Sequence, residues 1–193
     1  RSIENVTKLV VYENVEGKEE IPETEDLDGI ILDRARFHGF MSDFSDYTRS
    51  EFETYIGRPV SNWPAEVLPP GHEHFLPNPK TALVKEWIEF RAKVIHDFIT
   101  MARAEVKAVN PDIDFGAYVG GWYEQYYTYG PNWASPSYAA SRVFPSWATQ
   151  KYDSFGFSDM LDVQIIGAYA SYNAVYGNYE WSMQGFCRLA KEK

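Results

Sequence analysis

The chain has 193 residues, enough for one domain with a sizeable core but short of the roughly 250 typical of a complete (β/α)₈ barrel. A formal charge of -10 argues against nucleic acid or an anionic membrane surface as partner, since both recruit Lys and Arg, and no apolar run is long enough for a transmembrane helix. One cysteine, Cys187, excludes an internal disulfide framework and a Cys-based zinc cluster, while an aromatic content of 17% with 14 Tyr and 6 Trp is the most informative bulk feature.

Residues 1–26 read as an acidic N-terminal segment. "KLVVYENV" (Lys8–Val15) is a candidate edge strand, and "EGKEEIPETED" after it is loop-like. The clear pattern starts with "DGIILDRARF". Gly29–Asp33 is apolar enough to be a strand buried on both faces, as in parallel sheets, yet it ends in Asp33, Arg34 and Arg36. In "SEFETYIG", Ser50 and Glu53 form a capping-box signature and Gly57 a C-cap. A Pro-rich loop over 58–79 follows. The longest helical pattern runs from Lys80 to Asn110-Pro111, with Asn78 as its cap and Leu83, Trp87, Ile88, Ile95, Phe98, Ile99, Ala102 and Val106 as its apolar stripe.

Asp112–Trp122 is a second strand running into glycines and aromatics. A Tyr-, Pro-, Asn- and Ser-rich loop leads to a helix near Ser146–Phe155. Leu161–Ala170 is a third strand, and "YEWSMQGFCRLAKEK" is a final helix. Alternating strands and helices imply parallel strands joined by right-handed crossovers. Each strand ends in polar or aromatic side chains followed by a ring-rich loop, the end at which such sheets bind ligands.

Asp33, at a strand end with Arg34 and Arg36 near it, is the first catalytic candidate. Glu124, among Trp122, Tyr123, Tyr126 and Tyr127, is the second, because apolar rings raise a carboxyl pKa and suit it to be a general acid. Two such carboxylates could flank a glycosidic bond, Asp33 as nucleophile or base and Glu124 as acid. The rings favour a sugar, whose apolar C–H faces pack on aromatics while polar neighbours take its hydroxyls. The substrate-binding candidates are Arg34, Arg36, His38, Tyr118, Trp122, Tyr126, Tyr127, Trp133, Gln164, Tyr169, Tyr172 and Asn173. Trp87 and Trp147 lie on helical patterns and are expected in the core. "GHEH" (Gly71–His74) lacks helical spacing and a partner motif, so no metal site is expected, and nucleotide and serine-hydrolase signatures are missing from the sequence.

Three stretches taken in order, Asp28–Phe37 with its Asp-Gly-Ile-x-x-Asp run, Lys107–Phe115 and Asp162–Gln164, resemble the glycosyl-hydrolase-like barrels of bacteria, distant relatives of α-amylase and α-galactosidase barrels. The resemblance covers about residues 27–170. It implies an α/β fold of (β/α) TIM-barrel type, here a partial barrel of three βα units over 27–193 within a longer parent. Asp33 then matches the family's catalytic aspartate. The expected function is hydrolysis of glycosidic bonds in an oligo- or polysaccharide without a cofactor; the alternatives are a non-catalytic glycan-binding barrel and an inactive fragment of a larger glycoside hydrolase. The family also implies a periplasmic or extracellular, cell-surface location. The open edges of a partial barrel imply a homo-oligomer or the missing remainder of the barrel.

Overall fold

A computed structural model of the chain describes residues 28–71, 80–170 and 182–193. Its centre is a parallel sheet of three strands in the order β1-β2-β3, with β1 at Gly29–Asp33, β2 at Asp114–Gly120 and β3 at Val163–Gly167. The expected barrel is overturned. A TIM barrel closes eight strands on themselves, whereas this sheet is open, with β1 and β3 both at its edges among the described residues. The acidic segment 1–26, Asn78, the histidines of "GHEH", Tyr172 and Asn173 lie outside the described residues.

Between the strands the chain forms α1 (Asp46–Ile56), α2 (Ala82–Val109), the short helices α3 (Tyr123–Tyr126), α4 (Ala140–Val143) and α5 (Gln150–Asp153), and ends in α6 (Met183–Glu192). Helix α1 starts earlier than its capping-box signature indicated. Ser45 is the N-cap, its hydroxyl accepting from the Thr48 N–H at 3.3 Å, and Asp43 takes the Thr48 hydroxyl at 2.6 Å. Ser50 therefore lies inside the helix. Glu53 accepts instead from Arg49 Nε and the Val60 N–H, both at 2.9 Å, and Gly57 closes the helix in the left-handed region at φ 69°. Helix α2 is capped by Thr81, whose hydroxyl accepts from the Val84 N–H at 3.2 Å, and stops at Asn110 before Pro111.

Register explains the burial of the sheet. Ile31, Gly116 and Val163 are paired across the three strands, as are Asp33, Tyr118 and Ile165, so these side chains share one face. Ile30, Leu32, Phe115, Ala117, Val119 and Ile166 point the other way, and all of these but Ile30 join one core with Trp87, Ile88, Ile95 and Ile99 of α2. Strand β1 is therefore not buried on both faces: Gly29, Ile31 and Asp33 are exposed while Ile30 and Leu32 are half-buried. The physical reason is that, among the described residues, helix covers only one face, so alternation returns. Trp87, stacked on Phe44 and Phe90, and Trp147, stacked on Tyr127 and Phe144, are core residues. A fully buried arginine, Arg91, crosses this core. It donates to the Thr128 carbonyl at 3.1 Å and the Gly39 carbonyl at 2.6 Å, and its guanidinium lies 4.5 Å from the Phe37 ring centre.

Candidate functional site

At the carboxyl end of the sheet, on its open face, lies a cleft of about 430 Å³ lined by Ile31, Asp33, Arg34, Arg36, Tyr118, Gly120, Trp122, Tyr126 and Tyr169. That volume lies within the range of small-molecule sites. Local backbone shape builds it. Gly120 and Gly167 face each other in the β2–β3 register. A Cβ on Gly120 would sit 2.6 Å from the Trp122 ring, and one on Gly167 would sit 2.6 Å from the Tyr118 hydroxyl. The missing side chains thus let the rings of Trp122 and Tyr118 fold back over the ends of the strands. Trp122 packs on Tyr126 and Tyr169, with ring centres 5.8 and 5.6 Å away, and the Tyr118 and Tyr169 hydroxyls hydrogen-bond to each other at 2.6 Å.

The other wall is the turn that leaves β1. Arg34 has φ 54°, the left-handed region that residues with a Cβ seldom occupy, and the Arg36 N–H donates to its carbonyl at 2.7 Å. The Phe37 N–H then donates to the Tyr129 carbonyl at 2.9 Å. Arg91 ties the same two loops together from below, through Gly39 and Thr128. Arg36 lies 4.5 Å from the Tyr129 ring centre and 5.7 Å from that of Tyr126. Burial raises the Tyr126 phenol pKa, against the opposing pull of the Gly120 N–H and the Arg36 charge. The hydrogen bond with Tyr169 raises that of Tyr118, helped by burial and by the nearby Asp33 charge.

Of the residues expected in a site, Asp33, Arg34, Arg36, Tyr118, Trp122, Tyr126 and Tyr169 converge here. The rest are elsewhere. Glu124 is exposed on the short helix α3, off the cleft lining, and its charge is felt at Tyr127. His38 is exposed in the loop beyond Arg36. Tyr127 stacks on Trp147 with ring centres 4.5 Å apart. Trp133 is buried edge-on against Tyr123. Gln164 faces the covered side of the sheet and donates to the Trp133 carbonyl at 2.9 Å, so it anchors the ring-rich loop. Ile31 and Gly120 line the cleft but carried no chemical signal in the sequence. The alternation β1 adopts would have pointed to Ile31, and the Gly-Gly pair before Trp122 to Gly120.

These features define a small open α/β unit with a guanidinium- and ring-lined cleft at the carboxyl edge of its sheet. No family model matches the chain and no solved structure matches it. It is 34% identical over 162 residues to an S-layer-related protein of Niallia circulans, a match covering 78% of this chain and 10% of that relative's length. The expected membership of a glycosyl-hydrolase-like barrel family is overturned by these findings, and with it the expected glycosidic hydrolysis, the glycan-binding barrel and the fragment of a glycoside hydrolase. The motif carrying the resemblance, an aliphatic strand ending in Asp and Arg, is what a parallel strand with a site at its carboxyl end requires in many folds. Among the described residues no helix is long and apolar enough to cross a membrane.

Proposed function

We propose that the chain is a module of a larger cell-surface protein and that the cleft at the carboxyl edge of its sheet is a ligand-binding site. The single observation that carries the site is the convergence of two arginines, one carboxylate and four aromatic side chains on one concave surface, from all three strand ends. Surface location is supported by the S-layer-related relative, of which the chain spans 10%. That relative gives no support to the periplasm. The ligand presents an apolar ring face to Trp122 and Tyr169 and hydrogen-bonding groups to Asp33, Arg34 and Arg36. The oligo- or polysaccharide expected from the sequence has that chemistry, and the proposal is of binding, with no bond broken.

Two experiments test it. Trp122 is in the cleft, so saturable binding of a soluble oligosaccharide shifts the intrinsic fluorescence, and Trp122→Phe removes the shift. A panel of neutral and acidic oligosaccharides giving no saturable change would overturn the site. Recovery of the parent protein only in the cytosolic fraction of its own cells would overturn the location.

A further inference from the structure

We propose that the ligand of this cleft is an anion, its acid group gripped by Arg34 and Arg36 while its ring lies on Trp122 and Tyr169; this rests on the cleft being a binding site. The chain carries a charge of -10, yet the charged residues lining the cleft are two guanidiniums and one carboxylate. Elsewhere among the described residues several cations are ion-paired, Arg49 with Glu53, Arg58 with Glu86, Lys93 with Asp97, Lys107 with Asp162 and Arg188 with Glu192, while Lys85 and Arg91 are taken up by backbone carbonyls. Neither Arg34 nor Arg36 has an ion pair among the described residues, although Asp33 is their chain neighbour. Arg36 is half-buried, held over Tyr129 and Tyr126, so its side chain is ordered before a ligand arrives. Arg34 is set in the left-handed region at a turn where a glycine would be the relaxed choice. Backbone strain kept at the mouth of a cleft, in a residue whose side chain lines it, is the pattern of a functional constraint.

Guanidinium binds carboxylate and phosphate with the same forked geometry, so the shared chemistry is the oxyanion, and charge-assisted hydrogen bonds are about twice as strong as neutral ones. Asp33 sits beside the pair as an acceptor for hydroxyls, which favours an acid that also carries them, and it repels a second acid group placed over it.

The test uses ligands that differ in charge but not in ring. Oligogalacturonate is titrated against the chain beside its methyl ester, with Trp122 fluorescence as readout. Glucose 6-phosphate beside glucose tells phosphate from carboxylate. The acid form of at least one pair binds roughly 10-fold or more tightly than its neutral form, and salt weakens the preference. Arg34→Gly loses that preference while its thermal unfolding temperature holds or rises, because glycine relieves the positive φ. Arg36→Gln, which keeps a planar polar end group, loses it as well. Equal binding of acid and neutral forms overturns the anion and leaves the binding site standing. Absence of binding by every ligand overturns both.

Discussion

The two faces of the three-stranded sheet are made from alternate residues of the same strands, yet they differ in almost every respect. The covered face presents Leu32, Phe115, Ala117, Val119 and Ile166 to a core built on α2, with Phe115, Ala117 and Val119 nearly inaccessible. The open face carries Ile31, Val163 and Ile165, each 37–40% exposed, with Asp33 and Tyr118 leading up to the cleft. The core and the candidate cleft thus lie on opposite sides of one sheet. What separates them is a period of two along each strand and the long helix α2 packed on the covered side.

Breaking the covered face carries the largest effect. Phe115→Ala removes a fully buried ring between α2 and the sheet and costs about 3–5 kcal/mol, measured by denaturant unfolding. Next comes the strut beneath the cleft. Arg91→Met fits the apolar surroundings but strands the Gly39 and Thr128 carbonyls, and costs about 2–3 kcal/mol. The same variant broadens the Trp122 fluorescence response to ligand, since both loops that carry the cleft lose their tie. On the open face Ile165→Lys costs under about 1 kcal/mol, because a lysine stem covers similar surface and its ammonium reaches water. A loss above roughly 2 kcal/mol there would mean that this face is covered in solution, and the comparison would fail.

The smallest effect is read against pH. A hydrogen bond from Lys107, another from the Phe115 N–H at 2.9 Å and the Lys107 charge hold Asp162 below the usual carboxylate range, and the contact ties the start of β3 to β2. A carboxyl group whose pKa is depressed by folding contributes stability that is fully present above its unfolded value of about 4 and lost as pH falls through the folded value. Asp162→Asn therefore lowers the unfolding temperature slightly at pH 7 and flattens its decline below about pH 4. An acid limb as steep as that of the unmodified chain would show that the Lys107–Asp162 contact does not form in solution.

Much of the fold was legible as segments. The aliphatic run Gly29–Asp33 is a strand with the bounds expected, the stripe from Leu83 to Val106 is a helix, and Gly57 and Asn110-Pro111 stop the helices they follow. Local propensity and periodicity act over a few residues, so they survive in a sequence read on its own. The site was legible only in part. Asp33, Arg34 and Arg36 gather with Tyr118, Trp122, Tyr126 and Tyr169 because all lie at strand ends, a property that the order of elements implies. Trp133, Tyr127 and Gln164 have the same composition signal, yet they pack the loop from within, and Glu124 turns outward on a single helical turn. Whether a ring in a loop meets ligand or core depends on how that loop closes, and nothing local encodes it.

The sequence by itself determined the parallel α/β character, the stops of the two long helices at Gly57 and Asn110-Pro111, the acidic charge and the chemistry at the strand ends, since each follows from spacing or composition within a short window. Only the tertiary structure decided that the sheet stays open at three described strands rather than curving into a barrel. Closure depends on strand number, stagger and tilt across distant segments. Only the tertiary structure, too, left Ile31, Val163 and Ile165 exposed on one face of the sheet and set Arg34 and Arg36 at its rim without an ion pair among the described residues, because pairing of charges depends on side chains brought together from far along the chain.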